Sequence, residues 1–328
     1  MKKSYFNSVF KILLPGVLGV MGNSVYAQNI FALTSNNELT SFLASNPQQA
    51  KPAIPITGIT SGQTLVGIDS RPNTGELYAL GYNSTDSTSN LYTINKITAI
   101  ATKIGSTTIK LGLGNGSKVG FDFNPTVDRI RVVSGTDNSY RLHPVTGAIA
   151  FKDGNLKFAQ ADANFGKNPN AGASAYTNSF IGAGTTTLFN YDDSLNIITS
   201  QIPPNEGTLN TIGSTNITIT PGSTVMSGFD IYKDPSTLGN AAYLSISGIG
   251  SASNLYTVNT TTGGAAIVGQ IGLTGMIKDI AVEIDRTLPS PRTGKLIFGL
   301  QGLANLISFD SENPKVILNL VTITGLTA

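Results

Sequence analysis

No cysteine and no tryptophan occur in this 328-residue sequence, histidine occurs once, and only 12% of residues are charged. Without cysteine, disulfide stapling, a lipid carried on a cysteine and a Cys-ligated zinc site are excluded. The lone imidazole, His143, cannot build a His-rich zinc site. There is no G-x-S-x-G elbow, P-loop or dinucleotide fingerprint. No basic stripe interleaves with aromatics, so nucleic acid is not an expected partner. After residue 27 no apolar run approaches the roughly 20 residues that a membrane-spanning helix needs, so no transmembrane segment is expected in the mature chain.

The first residues read as an address. Lys2, Lys3 and Lys11 precede or open the apolar run "ILLPGVLGVM", and "GNSVYAQ" follows, with Val25 and Ala27 as the small residues a signal peptidase favours. Cleavage after Ala27 is expected to release a chain starting at Gln28, secreted, periplasmic or held at the cell surface. Losing those lysines leaves 18 basic against 19 acidic residues, so the formal +2 of the whole chain says little about the mature one.

What is present is repetition. "NLYTIN" at Asn90 to Asn95 returns as "NLYTVN" at Asn254 to Asn259. With Tyr92 as marker, the counterparts are Tyr140, Phe189, Tyr256 and Ile307, at intervals of 48, 49, 67 and 51 residues, and Thr40 marks a weaker first copy. Each unit holds short apolar runs separated by Asn, Thr, Gly, Asp and Ser, which predicts strands and turns. "NTGELY", "PVTG" and "TTTGG" place glycine where a tight turn needs positive φ. Apolar residues at consecutive positions in "TLVGI", "LYALG" and "AAIVG" imply burial on both faces. In "NLYTIN", Tyr92 and Ile94 point one way while Leu91 and Thr93 point the other.

Units of about fifty residues with up to four strands predict an all-β chain, a six-bladed β-propeller forming one domain over residues 28–328. A parallel coil or double β-sandwich is the alternative. The first unit lacks the strand that "VGID" supplies elsewhere, so its sheet is expected to be completed from the other end of the chain.

"LVGIDSRPNTGELYALG", "LYTIN", "VGFDFNPTVDRIRVVS", "AYTNSF", "QIPPNEGTLNTIG" and "LYTVNTTTG" together resemble the bacterial family of domain of unknown function 4394, over roughly Asn29 to Thr322. The resemblance implies a secreted, propeller-like repeat protein and brings no catalytic map. The insertion "EIDRTLPSP" leaves Asp279 and Glu283 as alternative counterparts in the last unit.

The acid within "GID" and "GFD" is the leading site candidate: Asp69, Asp122 and Asp230, with Asp279 or Glu283 as a fourth. An Asp at a strand end caps backbone N–H groups. A ring of such acids in a channel would instead favour a hard cation such as Ca²⁺, or general acid–base chemistry. Arg71, Arg129 and Arg131, with Arg141, stand near acids and suit local ion pairs or an anionic ligand. His143 occupies the place of Asn95 and Asn259, which predicts a turn role, and a Ser134–His143 triad has no elbow to support it. Tyr78, Tyr82, Tyr92 and Tyr140 suit packing between blades or a stacking surface.

These features favour a binding or structural protein presenting loops to an extracellular protein, a glycan or a small molecule, and a monomer is expected. The alternative is a carboxylate-dependent hydrolase or lyase, cation-assisted or not.

Overall fold

The run "LYALGY" at Leu77–Tyr82 is buried at every position, as a strand covered on both broad faces must be. In the computed structural model, which describes residues 28–219, 224–234, 239–249, 252–284, 295–301 and 305–323, such strands build five four-stranded antiparallel blades. From the inside outward, blade 1 is Ile277–Val282, Asn29–Thr34, Glu38–Leu43 and Ile54–Pro55. Blade 2 is Thr64–Ser70, Leu77–Tyr82, Thr88–Ile94 and Ala101–Lys103, with the short Ile109–Lys110 also pairing antiparallel with Thr88–Ile94. Val119–Asn124, Arg129–Ser134, Ser139–Leu142 and Ile149–Lys152 form blade 3. Blade 4 is Ala171–Tyr176, Leu188–Asp192, Ile197–Gln201 and Thr208–Ser214, with Lys157–Phe158 added in parallel outside. Blade 5 is Met226–Lys233, Asn240–Ile249, Ala252–Val258 and Ala265–Gln270. The expected leader, residues 1–27, lies outside the described residues.

The ring therefore has five blades and not the expected six. The expected borrowing explains the difference. Ile277–Val282, the start of the last sequence unit, pairs antiparallel with Asn29–Thr34 and becomes the inner strand of blade 1. The first and last units thus share one blade, and what remains of the last forms a separate three-stranded sheet, Leu296–Gln301, Asn305–Asp310 and Asn313–Thr322. That sheet touches the propeller where Gln301 Nε2 donates to the Gly182 carbonyl at 3.2 Å.

Five apolar clusters fill the five seams. Tyr92 and Ile94 pack with Phe31, Leu33 and Leu39 between blades 1 and 2. Leu91 packs with Phe121, Phe123 and Ile130 between blades 2 and 3, so the alternation in "NLYTIN" serves two seams. Tyr78, Tyr82, Tyr92 and Tyr140 are all buried there, none on a stacking surface. Phe189 corrects the unit alignment: it lies on the second strand of blade 4, because the loop before that blade shifts the fifty-residue period. Gly75, Gly147 and Gly263 adopt φ of +72°, +69° and +81° in the predicted turns.

The Tyr92 hydroxyl accepts the Thr60 N–H at 3.0 Å and lies 2.8 Å from both Thr60 Oγ1 and Gln63 Oε1. Tyr92→Phe removes these contacts, leaving the exposed Thr60 to water and the buried Gln63 Oε1 with Asn90 Nδ2 as its donor, and urea titration is expected to show a loss of about 1 kcal/mol.

Candidate axial site

The inner strands of successive blades adjoin around the axis, and a G-x-D triplet recurs on three of them: Gly67/Asp69, Gly120/Asp122 and Gly228/Asp230. Residues two apart on a strand share a face. A β-carbon on Gly67 would strike Phe121, and Asp69 Oδ2 accepts the Phe123 N–H at 2.7 Å. A β-carbon on Gly120 would strike Ser174, and Asp122 Oδ1 accepts the Tyr176 N–H at 3.0 Å. A β-carbon on Gly228 would lie 2.5 Å from Ile280 N, and Asp230 Oδ2 accepts the Val282 N–H at 2.5 Å. In each pair the glycine admits the neighbouring inner strand and the aspartate then bonds its backbone two residues further along. The triplet is a clasp between blades.

Asp279 is the fourth member. Its Oδ2 accepts the Ile68 N–H at 2.8 Å, tying blade 1 to blade 2. Glu283 is not at the axis: it bonds Lys96 Nζ and Asn29 Nδ2, both at 3.0 Å, and is partly exposed. In blade 4, Gly172 is retained and Ser174 stands where the acid would be.

Asp69, Asp122, Asp230 and Asp279 are 2, 3, 3 and 4% exposed. One oxygen from each of Asp69, Asp122 and Asp230 lies within 4.8 Å of the others. Burial raises the Asp69 carboxyl well above its ordinary value, and the charge of Asp230 adds to this. Asp122 is raised by burial and then by Asp69 and Asp230. Burial pushes Asp230 to about 7 against the pull of the Val282 and Ile231 N–H groups. Asp279 is raised mainly by burial, against the N–H groups of Ile68 and Ile280. Asp69 and Asp230 also accept the N–H of Ser70 and Ile231, so five of the six oxygens of the close trio hold a backbone donor. In such a cluster burial favours the protonated carboxyls, and the convergence brings together oxygens of the kind a hard cation takes.

The arginines are dispersed. Arg71 grips Asp128 through Nε (2.9 Å) and Nη2 (2.5 Å) and reaches the Tyr78 hydroxyl. Arg131 is buried and bonds Asp153, Asn205, Ser139 and Tyr176, while Arg141 takes Asp153 bidentately at 2.8 Å. Arg129 donates from Nη1 to the Val127 and Asp128 carbonyls and, alone among the described arginines, has no carboxylate partner. It lines a cleft of about 440 Å³ between the Pro125–Arg129 turn, the loop at Gly182–Gly184 and the C-terminal sheet. Sequence reading named Arg129 but not the cleft, whose walls lie far apart in the chain.

His143 Nδ1 accepts the Val145 N–H at 3.2 Å, just as Asn95 and Asn259 accept the N–H groups two residues on. Ser134 Oγ lies 2.8 Å from Thr136 Oγ1. His143→Asn is expected to change thermal stability by no more than about 0.5 kcal/mol, and a loss beyond about 2 kcal/mol would assign the imidazole more than this turn.

A sequence model for "Domain of unknown function (DUF4394)" matches residues 38–281. No curated protein matches the chain. Among solved structures, it is similar to a chain of a nidogen/laminin complex, at 9% identity and TM-score 0.40, over 79% of this chain and 98% of that one. It is also similar to a protein from Lactobacillus plantarum, at 14% identity and TM-score 0.37, over 90% and 96% of the two chains. A putative 6-phosphogluconolactonase from Bacteroides uniformis is similar at 13% identity and TM-score 0.39, over 90% and 97%. Likenesses this distant carry nothing about ligand or chemistry.

Proposed function

The chain belongs to the family with the domain of unknown function DUF4394, and within it we propose a binding or structural protein working outside the cytoplasm, which presents loops on a five-bladed propeller. One observation carries this reading: the converging carboxylates are buried, five of their six close oxygens hold a backbone donor, and three of these bonds tie one blade to the next. Acid–base catalysis needs a carboxyl within reach of substrate. The leader expected from the sequence of residues 1–27 supports the location, and no helix among the described residues is long and apolar enough to cross a membrane.

The test separates binding from turnover. Asp122→Asn is expected to leave ligand capture by the loops unchanged while lowering stability. Hydrolysis or elimination on any glycan or ester substrate that disappears in Asp122→Asn would overturn the scaffold reading in favour of the carboxylate hydrolase or lyase.

The 4.8 Å convergence favours a second reading, in which the cluster takes Ca²⁺ as counter-charge. Calcium is then expected to raise the melting temperature at pH 8 and not at pH 5, where protons hold the site. An equal effect in Asp230→Asn would count against it.

A further inference from the structure

The cleft at Arg129 deepens the binding reading and rests on it. Its charge balance is unusual for this molecule. Among the described residues, two charged side chains line it, Asp128 and Arg129. The Asp128 carboxylate is taken up by Arg71, whereas Nε and Nη2 of Arg129 have no partner among the described residues. A guanidinium keeps its charge at any physiological pH and presents paired N–H donors that match a carboxylate. The nearby His143 imidazole is held below its ordinary value first by burial and then by the charge of Arg129, against the pull of Asp128.

The other walls narrow the ligand. Asn73, Thr126, Gln301 and Asn305 bring polar side chains, and because Thr126 Oγ1 donates to Asn124 Oδ1 and Gln301 Nε2 to the Gly182 carbonyl, the Thr126 and Gln301 side-chain oxygens face a ligand chiefly as acceptors. Pro125, Val127 and Leu320 give an apolar surface, with Val127 53% exposed. A β-carbon on Gly184 would meet nothing within 4 Å, so that wall is open space. A volume of about 440 Å³ is in the range of small-molecule sites. Amides and hydroxyls suit a ligand rich in hydroxyls, the apolar surface suits the C–H face of a saturated ring, and Arg129 calls for one negative group.

We propose that this cleft binds an acidic sugar, a small polyhydroxylated ring bearing a carboxylate, with Arg129 receiving the carboxylate. The C-terminal sheet then has a use: Gln301, Asn305 and Leu320 close the cleft from a part of the chain that no blade contains.

The experiment is titration of the purified protein with glucuronate and galacturonate, followed by ligand-observed NMR and calorimetry, with glucose and inorganic sulfate as the neutral and bare-anion arms. At least one uronate is expected to bind about 10-fold or more tightly than either control, because a charge-assisted bidentate contact is lost in the first and the hydroxyl contacts in the second. Arg129→Gln is expected to weaken uronate binding about 10-fold or more. Gly184→Phe, which enters open space and leaves the Arg129 hairpin untouched, is expected to weaken it as much. Circular dichroism confirms that each variant is folded.

The proposal is overturned if neither uronate binds better than glucose, if sulfate matches them, or if both folded variants bind like the parent. The same NMR spectra separate it from the reading it rests on. Uronate bound and chemically converted would sink the non-catalytic reading and keep the site, whereas no binding by a folded protein would sink the site and leave the scaffold.

Discussion

Stability is expected to be highest in mild acid and to fall as pH rises from about 4 to about 7. Four buried aspartates have carboxyl groups raised above their ordinary value. A group whose folded-state value is raised holds its proton more tightly folded than unfolded, so between the two values the native state binds more protons. Its contribution is full below the unfolded value and is lost as pH climbs through the folded one. Asp230 alone moves from 3.8 to about 7, worth on the order of 4 kcal/mol at about 1.36 kcal/mol per unit. Asp69, Asp122 and Asp279 shift the same way. Lys118, lowered by burial to about 8, titrates above this window.

Urea titrations from pH 4 to pH 8 check this directly, with a falling midpoint as the expected result. Asp230→Asn removes the titration at a cost. Both of its oxygens accept an N–H, and an amide has one oxygen to offer. The variant is therefore expected to be weaker than the parent at pH 5 and less sensitive to pH between 5 and 8. A parent stability that climbs with pH over this range would show that the native cluster is ionised and its charge already compensated.

Gly228→Ala is the most damaging single methyl the axis is expected to receive. The added carbon would lie 2.5 Å from Ile280 N, 2.6 Å from Asp279 Cα and 2.7 Å from Asp279 C, all backbone of the adjoining inner strand. No rotamer relieves such a contact, so blades 5 and 1 must separate, and this is the blade that joins the two ends of the chain. Overpacking of this kind costs up to about 3 kcal/mol, occasionally more. The same shift would stretch the Asp230 bond to Val282. Gly184→Ala, with nothing within 4 Å, is the matched control and is expected to be neutral. Equal melting temperatures for Gly228→Ala and the parent would mean that the inner strands are not locked in this register.

Much of this architecture is legible in short stretches. Strand faces show in "NLYTIN", turns in "NTG" and "PVTG", and the missing inner strand of the first unit shows as an absence beside "FALT". The count of blades is harder to read. It depends on whether the last unit supplies its own blade or the first one's inner strand, and the two ends that decide this meet across about 250 residues, as in the pairing of Ala32 with Ile280.

The axial acids divide in the same way. Their recurrence at one place in each unit is written in the sequence, as is the glycine two residues before three of them, a pairing that goes unnoticed until its purpose is known. A carboxylate at a strand end reads as a cap for its own turn, because nearby donors are the ones a sequence displays. Folding gives Asp69, Asp122 and Asp230 donors 54, 54 and 52 residues away on the next blade. Side-chain alternation, turn chemistry and repeat order were settled locally, by φ preferences and the two-residue period of a strand. Ring closure, the shared burial that raises the carboxyl values and the cleft beside Arg129 were decided by tertiary structure, since each depends on groups brought together only when five seams pack at once.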